Sequence, residues 1–262
     1  MKHGLFLPIF DDLAEPRLVA EIAAQAEEAG WDGVFVWDHV DYRAPVIGIA
    51  DPWVTLAAIA MTTETVKIGP MITPLPRRRP IKVAREVVSL DRLSNGRVIF
   101  GVGIGSDRSG ELTHTGEELD TKRRATMLDE SLLVLRNAWT GQPLDHQGEH
   151  YLAEDMTVLP TPVQDRLPVW TAVRYGNANP LKRAARHDGV FPIDIDSPDK
   201  LAETLAGIEI PSRPFDVAVG AQDETDPRGY EAVGATWWMR GFSPFEITED
   251  EVRAVTAAGP LR

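Results

Sequence analysis

The chain contains no cysteine among its 262 residues. Disulfides, thiol nucleophiles and thiolate metal sites are therefore excluded, and the redox compartment is left unmarked. No apolar run approaches a membrane span, and Met1-Lys2-His3-Gly4-Leu5 enters a strand pattern with no signal-peptide core before it. A cytoplasmic setting is the expectation. Positive charge is scarce: 27 Lys and Arg face 40 Asp and Glu, a formal net charge of -13. Nucleic acid and anionic membrane surfaces both demand dense positive charge, so neither is expected as a partner. No Gly/Ser-rich linker, charge block or internal repeat divides the chain, which reads as one domain over 1–262. Nucleophile elbow, P-loop and paired-carboxylate patterns are missing too.

What is present is alternation between short β-branched runs and longer amphipathic ones, the pattern of parallel βα units. Strands are expected at His3–Phe10, Gly33–Trp37, Val66–Met71, Arg97–Val102, Val169–Val173, Gly189–Ile193, Asp216–Ala221 and Thr236–Arg240. Helices are expected at Pro16–Ala29, Pro52–Thr62, Pro80–Leu93, Lys122–Trp139, Asn179–Arg186, Pro198–Ala206, Arg228–Val233 and Glu249–Ala257. Proline sits just inside several helix starts, after Glu15, Asp51 and Ser197, and Gly30 and Gly96 end elements. Eight strands, each followed by a helix, make an α/β fold of the (β/α)8 TIM-barrel class. The irregular stretch from Trp139 to Pro168, with Gly148-Glu149-His150-Tyr151 inside it, reads as an added hairpin before the fifth strand.

Residues directly after barrel strands converge on one mouth, where such folds keep their chemistry. Here they are Phe10 and Asp11, Asp38 and His39, Thr73 and Pro74, Gly103 to Asp107, Arg174 to Asn177, Pro192 and Asp194, Gln222, and Arg240 to Phe242. The run Gly33-Val34-Phe35-Val36-Trp37-Asp38-His39 carries most information, a buried strand ending in an acid and an imidazole. The plainer role for that pair is a cap and a satisfied polar strand end. Neither residue has a metal-ligand partner at helical spacing, so a metal site is not expected. In Gly101-Val102-Gly103-Ile104-Gly105, glycine permits close backbone approach to a flat or phosphorylated ligand. Ser106 stands where a G-x-G-x-x-G fingerprint needs its third glycine, and a tight turn is the simpler use. Arg174 and Tyr175-Gly176-Asn177-Ala178 enter a helix and suit either a phosphate or ordinary helix initiation. Arg77-Arg78-Arg79, flanked by prolines, reads as a solvated run or as a cationic patch beside the mouth.

Several segments together resemble the luciferase-like monooxygenase superfamily of flavin and deazaflavin enzymes. They are Trp37-Asp38-His39, Ile72-Thr73-Pro74, Leu90-Asp91-Arg92-Leu93-Ser94-Asn95-Gly96-Arg97 leading into Phe100-Gly101-Val102-Gly103-Ile104-Gly105, Ala184-Ala185-Arg186-His187-Asp188-Gly189, and Gly234-Ala235-Thr236-Trp237-Trp238. The resemblance implies the same barrel, with an isoalloxazine or deazaflavin across its mouth. It implies a non-proline cis peptide within Pro70-Met71-Ile72, and cofactor contacts from Asp38, Met71, Ile72, Thr73, Gly103, Ile104, Gly105, Ser106, Arg174, Tyr175, Gly176 and Asn177. His39 would handle protons beside Asp38, as in members using coenzyme F420. The implied activity is hydride transfer between F420 and a small organic substrate; the alternatives are an FMN-dependent monooxygenase fed by a reductase and a barrel that binds flavin without turnover. A homodimer is implied as well. Two departures stand out: Ser106 replaces the glutamate carried by sugar-phosphate dehydrogenases of the superfamily, and Arg174 replaces a small residue.

Overall fold

Runs of Val, Ile and aromatic residues favour extended backbone and bury on both faces of a covered sheet. In a computed structural model describing residues 1–176, 178–221 and 226–261, the strands are β1 (Lys2–Leu7), β2 (Gly33–Val36), β3 (Lys67–Pro70), β4 (Thr73–Pro74), β5 (Phe100–Gly103), β6 (Leu144–Gln147), β7 (Leu152–Met156), β8 (Val169–Arg174), β9 (Gly189–Ile193), β10 (Asp216–Ala221) and β11 (Trp237–Gly241). The main sheet has the order β3-β2-β1-β11-β10-β9-β8-β5-β4, with every pairing parallel. β3 and β4 are one barrel strand interrupted at the Met71–Ile72 peptide, which is cis. The barrel closes where Ile68 bridges to Val98, the Ile68 amide donating to Arg97 O at 3.1 Å and the Ile99 amide to Ile68 O at 2.9 Å. Only glycine fits at this seam, because a Cβ on Gly69 would lie 1.8 Å from Ile99 O. β6 and β7 pair antiparallel as the separate hairpin.

The helices are α1 (Pro16–Glu28), α2 (Pro52–Thr62), α3 (Pro80–Leu93), α4 (Glu111–Thr115), α5 (Thr121–Ala138), α6 (Ala178–Ala184), α7 (Pro198–Ala206), α8 (Arg228–Ala232) and α9 (Glu249–Ala258). Side-chain caps start many of them: Glu15 accepts from Arg17 N, Asp51 from Val54 N, Asp120 from Arg123 N and Ser197 from Lys200 N. The expected barrel is therefore present, and its expected elements lie within a few residues of the observed ones. β5 begins at Phe100 rather than Arg97, the residues before it contributing only the bridge of Val98 to Ile68, and the Arg97 side chain is buried. Its guanidinium donates to Ala60 O, Thr63 O, Val66 O, Ser94 O and Thr63 Oγ1 at 2.7–3.1 Å. The five-residue α4 had no sequence signal strong enough to be expected.

The barrel interior holds Phe35, Met71, Ile99, Trp170, Phe191, Ala218, Trp237 and Met239, a layer of large side chains closing the floor beneath the mouth. A larger apolar cluster packs α1, α2, α3 and α5 onto the outside of the strands. α2 is apolar on nearly all sides, and leaves Val54 and Met61 60% and 70% exposed. Among the described residues no helix is long and apolar enough to cross a membrane.

His187, between α6 and β9, is 4% exposed and accepts from Arg136 Nη2 at 2.7 Å through Nδ1. Burial, and then the Arg136 charge, push its pKa from 6.5 down to about 3. The unfolded imidazole takes up a proton below about 6.5 and the folded one resists until about 3, so His187 contributes stability above pH 6.5 that is lost as pH falls towards 3. Urea unfolding at pH 7.5 and pH 5 should show a loss of about 2 kcal/mol from this residue. A His187→Gln variant should lose correspondingly less over the same interval.

Candidate active site

The C-terminal ends of the strands open into a cavity of about 1280 Å³. Part of its wall, at the strand ends, is made by small residues, Gly103, Ala172, Gly220, Ala221 and Gly241, with Met71, Ile72, Phe6 and Phe191 also lining it. A Cβ on Gly103 would come within 2.8 Å of Ile72 Cγ2, so this position suits only glycine. Trp37, Asp38, His39 and Tyr42 border the cavity on the β2 side, and Gly105 to Ser109 border it after β5.

His39 packs in an aromatic box, its ring centroid 5.8 Å from Phe10, 5.9 Å from Trp37 and 5.0 Å from Tyr42. Behind it lies a buried charged network that joins three loops. Arg77 donates to Asp38 Oδ1 at 2.6 Å, to Asp38 O at 3.0 Å and to Glu111 Oε1 at 3.0 Å. Arg78 Nη2 reaches Asp38 Oδ1 and Oδ2 at 2.7 and 2.9 Å, and Thr73 Oγ1 donates to Asp38 Oδ2 at 2.8 Å. Glu111 also accepts from Val40 N at 2.7 Å and lies 3.4 Å from His39 Nδ1. Burial pushes the Glu111 carboxyl up, but the His39 contact, the His39 and Arg77 charges and the Val40 amide outweigh it, and its pKa is lowered. α4 is placed for this contact by Asp107, which accepts from Leu112 N and Thr113 N at 2.8 and 3.0 Å, and by His114 Nδ1 against Asp41 Oδ2 at 2.6 Å.

Sequence comparison supplies the family: the model of the luciferase-like monooxygenase family matches residues 1–222. The chain belongs to the luciferase-like monooxygenase family. This luciferase-like chain is 36% identical over 162 residues to an F420-dependent glucose-6-phosphate dehydrogenase of Amycolatopsis mediterranei, across 60% of the chain and 47% of that relative. A dehydrogenase of the same name from Tsukamurella paurometabola is 30% identical over 260 residues, 94% of this chain and 75% of the other. The matches cover about half the length of the first two such relatives. Among solved structures, an F420-dependent secondary alcohol dehydrogenase in complex with an F420-acetone adduct superposes with a TM-score of 0.81 at 18% identity, over 99% of each chain. At that identity the likeness is one of fold.

In this luciferase-like barrel, Asp38, His39, Met71, Ile72, Gly103, Ile104, Gly105, Ser106, Arg174 and Gly176 all border the one cavity. Thr73 does not, because it is fully buried and its hydroxyl is engaged by Asp38. The Asp38 side chain is closed off as well, with both carboxylate oxygens occupied and 1% of the residue exposed. Tyr175 turns away to Glu203 Oε2, 2.6 Å from its hydroxyl. Arg174 reaches the cavity but pairs with Asp194, which lies 3.6 Å from Arg108. Asn177 and Gln222 fall outside the described residues. Glu111 was missed from sequence: a lone acid after Ser109-Gly110 carries no periodicity or spacing to mark it.

The reading of Arg77-Arg78-Arg79 as a patch open to an anionic ligand is overturned. The Arg77 and Arg78 side chains are 4% and 17% exposed and neutralise Asp38 and Glu111, acids far away in sequence, while Arg79 alone faces solvent. Replacing Arg77 by Met leaves two buried carboxylates short of a counter-charge, and should cost about 3–5 kcal/mol of stability. Arg79→Ala should stay within about 0.5 kcal/mol of the parent. Chemical denaturation of both variants checks the contrast.

Proposed function

We propose that this chain is an oxidoreductase that holds coenzyme F420 across the barrel mouth and exchanges hydride with a small organic substrate. One observation carries the reading. His39 has a buried Nδ1 edge, while the exposed quarter of its side chain borders a large cavity walled in part by small residues at the strand ends. A flat ring system needs such a wall, and at Gly103 a side chain would collide with Ile72, 2.8 Å away at Cγ2. Met71, Ile72, Gly103, Ile104, Gly105 and Ser106 would hold the ring, with Arg174 and Gly176 towards its phosphate. Asp38 would act through the Arg77 and Arg78 network that shapes the lip. Cations on the same cavity, Arg108 and Lys122, are exposed and would meet the anionic tail in place of the buried arginines. The F420-dependent names of relatives that match most of the chain support the choice of coenzyme.

When bound, the deazaflavin supplies two-electron hydride chemistry; the chain supplies position and the proton. His39 takes up or delivers the proton that accompanies the hydride, a task suited to imidazole near neutrality. The aromatic box of Phe10, Trp37 and Tyr42 packs around the ring and fixes its plane. Ser106 in place of a glutamate favours a substrate other than a sugar phosphate.

Fluorescence titration should give micromolar or tighter F420 binding and weaker FMN binding. Binding of FMN alone would move the assignment to an FMN-dependent monooxygenase, and binding of neither would sink both. His39→Ala should keep F420 affinity and lower turnover about a hundredfold or more.

The reading includes a homodimer formed through the apolar outer face of α2. Val54 and Met61 on α2, and Ile47 in the loop before it, 92% exposed, support it. Light scattering should report twice the chain mass, and Met61→Lys should shift the particle towards the single chain; a monomeric parent refutes this assembly.

A further inference from the structure

We propose that Glu111 fixes the tautomer of His39, keeping a proton on Nδ1 so that Nε2 alone exchanges protons at the cavity. Its catalytic consequence rests on the function proposed above; the tautomer itself does not.

His39 Nδ1 is a buried polar atom with no formed hydrogen bond among the described residues, and Glu111 Oε2 stands 3.4 Å from it as an ion-pair contact. A long contact of this kind is common in sites without substrate and tightens when they fill. Asp38, the neighbour in sequence, is not free to serve. Arg77 and Arg78 hold its Oδ1, and Thr73 and Arg78 hold its Oδ2. Glu111 has the opposite allocation. Its Oε1 accepts from Arg77 Nη1 at 3.0 Å and Val40 N at 2.7 Å, which fixes the carboxylate and leaves Oε2 directed at the imidazole. The residue is 1% exposed, so water does not compete for that oxygen. An ionised carboxylate only accepts hydrogen bonds, so the nitrogen facing it must carry the proton. Nε2 is then bare in neutral His39 and a donor in protonated His39, the two states that a proton exchanger needs.

The Glu111→Gln variant separates this role from packing, because the amide matches the carboxylate in size. Arg77 Nη1 and Val40 N are both donors and will keep the amide oxygen, which turns the amide NH2 towards Nδ1. Nδ1 must then accept, and the proton moves to Nε2, as happens when the acid of a catalytic triad becomes an amide.

Nitrogen NMR of the imidazoles at about pH 8, where ordinary histidines are neutral, reads the tautomer without cofactor. The His39 signals are assigned by their loss in His39→Gln. The parent should show Nδ1 protonated and Nε2 bare, Glu111→Gln the reverse, and Glu111→Asp the parent pattern. With F420 present, turnover should fall a hundredfold or more in Glu111→Gln at unchanged F420 affinity, and Glu111→Asp should recover part of it. A parent with the proton on Nε2, or a Gln variant keeping the parent tautomer, overturns the proposal. Should Glu111→Gln fail to fold, the parent and Glu111→Asp spectra still decide. The expected tautomers in a protein that does not bind F420 would leave Glu111 in this role and remove only the coenzyme assignment.

Discussion

One guanidinium holds the β2 side of the mouth together. Arg77, its side chain 4% exposed, bridges Asp38 at the end of β2 to Glu111 on α4, and itself follows β4. Two carboxylates buried this deeply would be expelled from a low-dielectric interior without a fixed counter-charge. The planar fork of arginine satisfies both at once, where a lysine would offer a single mobile point. Three loops distant in sequence therefore have one workable arrangement, and His39 inherits its position from it.

The barrel was legible because its signals are local. Strand runs such as Gly189–Ile193 and helix starts such as Asp51-Pro52 and Ser197-Pro198 announce themselves within a few residues, and the observed elements follow them. The mouth was legible only in outline, since strand ends converge by topology. What remained hidden was the pairing of charges. Nothing in Arg77-Arg78-Arg79 indicates that two of its members turn inward, because their partner Asp38 lies about 40 residues earlier and is brought close only by barrel closure. Glu111 was invisible for the same reason. Its helix is five residues long, capped by Asp107 and by glycines at positive φ, and carries no amphipathic period.

The Leu90–Arg97 part of the family segment lies apart from the cavity, while its glycine-rich sequel, Gly103 to Gly105, borders it. Asp91 is fully buried and accepts from Val163 N, Gln164 N and Gln164 Nε2 at 2.7–3.2 Å, tying down the chain that returns from the hairpin. Arg97 closes the carbonyls around the end of α2 beside the barrel seam. Both are structural solutions to buried polar backbone. A motif of this kind identifies the scaffold; the chemistry must be read from the lip.

The loop between β5 and α4 is anchored at both ends. Arg124 donates to Ile104 O and Gly105 O at 2.9 and 2.8 Å, and the Asp107 carboxylate caps the turn into α4. Ser106, Arg108 and Ser109 lie between or beside these anchors and face the cavity. Ser106 Oγ accepts from Arg108 N at 3.3 Å within the loop, and among the described residues the contacts of Glu111 run to Arg77, Val40 and His39 instead. On the function proposed above, the residues that would select a substrate and those that would position the proton exchanger hang from separate anchors, so one set can change while the other stays fixed.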